Sequence, residues 1–127
     1  METRIFTELI GQTITSIEGA IKESECITIT LSDGRVAVFD HWQDCCEQVE
    51  VEDVCGDINN LIGSPLTMAE EVTHDCETPE GMGLGIPTDS YTWTFYKFAT
   101  IKGYVTIRWL GESNGYYSER VDFSIGK

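Results

Sequence analysis

The chain has 127 residues, 41% of them apolar, which is the size and composition of one globular domain that buries roughly two-thirds of its unfolded surface and needs no covalent staple. Its 22 acidic against 8 basic side chains give a net charge of −14. A field of that sign repels phosphate, so neither nucleic acid nor an anionic membrane is an expected partner, and a cationic surface is.

Arg4 to Ile10 carries Ile5, Phe6, Leu9 and Ile10 at the spacing of one face of a short helix, which Gly11 ends. Thr13 to Ile17 alternates weakly. Ile27, Ile29 and Leu31 alternate with threonine and serine, and Val36, Val38 and Phe39 follow after Asp33-Gly34. That dipeptide suits a tight hairpin turn, because Gly takes positive φ without strain. The spacing then predicts a loop over His41–Cys46, a short strand over Gln48–Glu52 and a short helix over Asp57–Ile62. Gly63-Ser64-Pro65 stops that helix. Leu66 to Thr73 reads as a strand, and Asp75 to Asp89, with two prolines and three glycines, as a long loop.

The end of the chain alternates most clearly. Tyr91, Trp93 and Phe95 form one run, Val105, Ile107 and Trp109 a second, and Tyr117, Glu119, Val121, Phe123 and Ile125 a third. Turn residues separate them, so the expectation is an antiparallel three-strand meander. The fold class is α+β: a mostly antiparallel sheet, built from the front hairpin and this meander, with one or two short helices over one face. No internal repeat or linker divides the chain, so residues 1–127 form one domain.

The charge is lopsided. No basic side chain lies between Val36 and Tyr96, and thirteen acids do. Candidate partner-binding residues follow from that block: Asp44, Glu47, Glu50, Glu52, Asp53, Asp57, Glu70 and Glu71, with Trp42 as an aromatic anchor. Met82 to Ile86 is a second apolar contact. The bland alternative is a surface whose charge serves solubility.

The densest polar chemistry is Asp40-His41-Trp42-Gln43-Asp44-Cys45-Cys46-Glu47. Zinc takes thiolates and imidazoles in a tetrahedron, so His41 with Cys45 or Cys46, joined by His74 and Cys76, is a candidate structural site. Cys55 is a further candidate. In the competing reading Cys26, Cys45 and Cys55 are small core residues and His41 is a hydrogen-bonded loop residue. Five cysteines and no secretion signal point to a reducing, cytoplasmic compartment without disulfides. The surrounding acids raise a thiol pKa, and Gly-x-Ser-x-Gly and His-Glu-x-x-His are both absent, so the chain is not expected to be an enzyme.

The His41-x-Gln43-Asp44-Cys45-Cys46-Glu47 block resembles a family of small acidic phage and prophage proteins with no assigned activity. So do Leu61-Ile62-Gly63-x-Pro65, Tyr91–Tyr96 and Ser113–Ser118, and the resemblance covers roughly residues 38 to 123. It implies a phage-encoded inhibitor of host defence acting in the host cytoplasm, of the anti-CRISPR kind, some of which carry zinc. The expected partner is a host RNA-guided nuclease, whose cationic nucleic-acid channel the acidic segment would occupy. The alternative is a sponge for a nucleotide immune signal, held by aromatic rings and Arg108 or Arg120.

Overall fold

The computed structural model describes residues 2–3, 6–42, 47–75, 90–113 and 119–126. The alternating segments become strands: β1 (Glu2–Thr3), β2 (Ile14–Glu18), β3 (Cys26–Leu31), β4 (Val36–Asp40), β5 (Gln48–Cys55), β6 (Met68–Asp75), β7 (Ser90–Thr100), β8 (Gly103–Ser113) and β9 (Asp122–Gly126). They form two antiparallel sheets, ordered β1-β9-β4-β3-β2 and β5-β8-β7-β6. β3 and β4 are joined through Asp33 and Gly34, where Gly34 takes φ +92° and the Asp33 carboxylate accepts from the Arg35 amide at 3.0 Å.

Two expectations are corrected. The described residues contain no α-helix, so the fold is mostly β, not α+β. Phe6–Leu9 and Ile58–Leu61 are single 3₁₀ turns of four residues each. Gly11 follows the first turn at φ +87°. The second carries two asparagines, weak helix formers, and is held from outside. Asp57 caps it by accepting from the Asn59 amide at 2.9 Å, and the Thr100 hydroxyl donates to the Asn60 carbonyl.

The meander is also corrected. β7 and β8 pair along their whole length, but β9 leaves that sheet and pairs with β4. The alternation in that segment is real, since Glu119, Val121, Phe123 and Ile125 are all buried. Periodicity fixes which side chains turn inward and not which strand lies alongside.

The sheets meet face to face over one core. Phe6 stands between them, with edge-to-face contacts to Phe39 and Phe123 of the first sheet and to Tyr96 and Phe98 of the second, at centroid distances of 4.9 to 5.7 Å. Each sheet is thus buried on one face by the other, the arrangement of a β-sandwich. Truncating this residue leaves a cavity that touches both layers. Phe6→Ala is expected to cost about 3–5 kcal/mol in urea unfolding. Ile101→Ala, at a side chain 86% exposed, should stay within ~0.5 kcal/mol of the parent.

Candidate functional site

The inward face of β7 changes character along the strand. Phe98 and Tyr96 belong to the aromatic core, while the next two inward residues are Thr94 and Thr92. Their cross-strand partners on β8 run from Val105 and Ile107 to Trp109 and Gly111. Bulk therefore falls away towards one end of the sandwich. The chain crosses from β8 to β9 there, over Gly111, where a Cβ would lie 2.4 Å from the Glu119 carbonyl oxygen. Only glycine lets the crossing lie this close.

The result is a cleft of about 330 Å³. Glu71 and Thr73 of β6 form one wall, Thr92 and Thr94 the floor, and Glu119, Arg120 and Val121 the crossing. Glu119 is a buried carboxylate with both oxygens engaged: Thr92 Oγ1 donates to Oε1 at 2.8 Å and Ser113 Oγ donates to Oε2. Charge buried in this way is tolerable only with such partners.

Behind the crossing sits His41. Nδ1–H donates to the Arg120 carbonyl at 2.8 Å and Nε2 meets Glu47 Oε2 at 2.8 Å. The two side chains are 3% and 0% exposed. Burial pulls the imidazole pKa down, but the bonds to Glu47 and the Arg120 carbonyl, with the charges of Glu47 and Asp122, outweigh it, and the net shift is upward from 6.5. That direction favours the charged form of His41, which ties the loop after β4 to the cleft wall through both ring nitrogens. Next to it, Asp122 accepts from the Trp42 amide at 3.1 Å and lies 3.9 Å from Arg120 Nε. The Trp42 side chain stands 81% exposed at this end of the molecule.

The acidic block does not stay together. Glu47 is consumed by His41. Glu52 accepts from Arg108 Nε at 2.5 Å, and that guanidinium lies 5.1 Å from the centre of the Trp93 ring. Asp53 accepts from the Val54 amide at 2.9 Å, and Asp57 is a cap. Glu70 faces outward opposite Lys97, and Glu71 enters the cleft wall. Asp44, Cys45, Cys46, Cys76 and the Met82–Ile86 segment lie outside the described residues.

Of the candidate zinc ligands, His41 has both ring nitrogens engaged, so a metal there must displace Glu47 or the Arg120 carbonyl. His74 lies on β6, edge-on to Phe95. Among the described residues no three His, Cys, Asp or Glu side chains are grouped to hold a metal. Cys26 and Cys55 are exposed thiols, not core residues. Burial, then Asp53, pushes the Cys55 thiol up.

The fold also adds acids that the block did not contain. The turn between β2 and β3 reaches across to β5: the Glu23 amide donates to the Val51 carbonyl and the Val51 amide to the Ser24 carbonyl, each at 2.7 Å. Glu23, in the left-handed region at φ +72°, and Glu25 thereby join Glu50, Glu52 and Asp53 along one sheet edge. Sequence order hides this, because the turn precedes β5 by more than twenty residues.

Residues 7–123 match a domain of unknown function, DUF7448. The chain belongs to the DUF7448 family. No curated protein and no solved structure matches it. The DUF7448 match runs from the first 3₁₀ turn into β9, so it contains the whole second sheet, β2 to β4 of the first, the cleft and the His41–Glu47 pair. Among the described residues no helix is long and apolar enough to cross a membrane.

The raised imidazole pKa has a definite sign in stability. The pair contributes fully below pH 6.5 and its contribution fades as pH rises through the raised folded value. His41→Gln should lower stability by ~3 kcal/mol near pH 6, since it removes the cationic partner of a buried carboxylate. The gap to the parent should narrow towards pH 9. Urea midpoints of both proteins across that range check it, and a constant gap contradicts the ion pair.

Proposed function

We propose that this chain is a binding protein that docks on a cationic protein surface and acts by occupancy rather than catalysis. The partner class favoured by its likeness to phage proteins is a host RNA-guided nuclease. One observation carries the reading: the acidic edge of the second sheet. Glu23, Glu25, Glu50, Glu52 and Asp53 gather there, and Arg108 neutralises only Glu52. Like charges assembled on one edge repel one another and cost stability, so their gathering favours a role in recognition. Such an edge speeds encounter with a basic groove and penalises anionic competitors.

The same geometry weighs against a nucleotide sponge. Arg108 is committed to Glu52 and Trp93, and Arg120 shares its cleft with two carboxylates. A phosphate entering that cleft would meet more negative than positive charge.

Glu23 and Glu50 are two edge acids that no ion pair or cap occupies among the described residues, and they serve as the test. The double variant Glu23→Lys/Glu50→Lys should bind an RNA-guided nuclease at least ~10-fold more weakly at physiological salt, a loss of about 1.4 kcal/mol. The deficit should shrink at high salt, where surface charge is screened. Biolayer interferometry reads both. Equal affinity of parent and variant at both salts removes the acidic edge from the mechanism.

A further inference from the structure

The cleft between β6, β7 and the crossing has a chemistry that docking on a basic surface does not use. Its volume of about 330 Å³ is at the small end of ligand sites, suited to a molecule of one or two residues' bulk. Its lining carries both signs of charge, the carboxylates of Glu71 and Glu119 and the guanidinium of Arg120, with Thr73, Thr92 and Thr94 between. A simple anion meets two carboxylates there, and a simple cation meets the guanidinium. A molecule with a positive end and a negative end matches all three.

Two buried rings of the core adjoin the cleft floor and wall. Tyr96 is the inward neighbour of Thr94 on β7 and the cross-strand partner of Glu71 on β6. It is 1% exposed and its hydroxyl lies beside the Glu71 carboxylate. Burial first, then the nearby Glu71, pushes the phenol far above its ordinary pKa, so the hydroxyl keeps its proton. Trp109, opposite Thr94, has a buried indole N–H without an acceptor. The walls are already fixed, Glu119 by Thr92 and Ser113 and the Arg120 carbonyl by His41. Preorganised walls lower the ordering cost of binding.

We propose that this cleft binds a small zwitterion of the α-amino acid class, its ammonium between Glu71 and Glu119 and its carboxylate towards Arg120. Charge-assisted hydrogen bonds at both ends would fix its orientation. The inference stands on other residues than the acidic edge of β5, which lies at the far side of the same sheet, roughly 14 Å away at three strand spacings.

Isothermal titration of the intact protein with each standard amino acid is the test, with acetate and methylamine as the two halves of the ligand. At least one amino acid should bind saturably, and neither half should bind at the same concentration. Glu71→Gln and Arg120→Gln, both at exposed side chains and so expected to keep the parent's melting temperature, should each weaken binding at least ~10-fold. The Glu23→Lys/Glu50→Lys protein should bind the amino acid like the parent, whatever it does with a nuclease. The proposal is overturned if no amino acid gives heat. Equal binding of acetate or methylamine, or wild-type affinity in both cleft variants, overturns it as well.

Discussion

Two sheets, each apolar on one face, must cover one another, and Phe6 is the side chain through which they do so. It belongs to neither sheet. A single 3₁₀ turn delivers it between them, and four aromatic rings from both layers meet its ring edge to face. Edge-to-face pairs add about 0.5–1.5 kcal/mol each beyond the area they bury. The layer spacing and the position of the turn are therefore set together. So is the line where the aromatic packing stops.

That line is where the cleft begins. On β7 the inward positions run Phe98, Tyr96, Thr94, Thr92, and Tyr96 is the last ring of the core and the first group of the polar end. Past it, β8 supplies Trp109 and then Gly111, and over the glycine the crossing lies directly on the sheet. A buried glutamate and the buried His41–Glu47 pair hold the crossing in place. Ion pairs of this kind are poor sources of net stability compared with apolar packing. Their value lies in fixing one geometry, which an apolar filling of the same space would not do for Glu119 and the Arg120 carbonyl.

Much of the strand pattern was legible, and the reason is period two. Ile27, Ile29 and Leu31 are each 0–1% exposed, as alternation predicts. Three things were not legible. The partner of β9 was missed, because alternation in residues 119–125 carries no information about neighbours. The inward side of β7 was misleading, because Tyr91, Trp93 and Phe95 look like the core set, yet Thr92 and Thr94 turn inward. Trp93 is instead buried on the outer face, against Arg108. An arginine whose charge is met by Glu52 covers an indole as well as an aliphatic side chain would. The cleft was missed for the same reason, since its threonines read as the solvent side. Glu119 offered one signal, an acid in phase with Val121, Phe123 and Ile125.

The central acidic block illustrates how a fold redistributes a linear feature. Along the chain it is one run of thirteen acids. In space β5 and β6 become opposite edges of one sheet, with the two longest strands between them. Glu47, Glu52 and Asp57 are spent on a buried pair, a surface pair and a cap. What remains on β5 is reinforced by Glu23 and Glu25 from a turn that the linear block excluded. The anionic edge is thus made by two backbone hydrogen bonds to Val51, not by sequence proximity. Any partner that reads it is reading the contact between the β2–β3 turn and β5, and would lose Glu23 and Glu25 from its target if that turn detached, with no change in sequence.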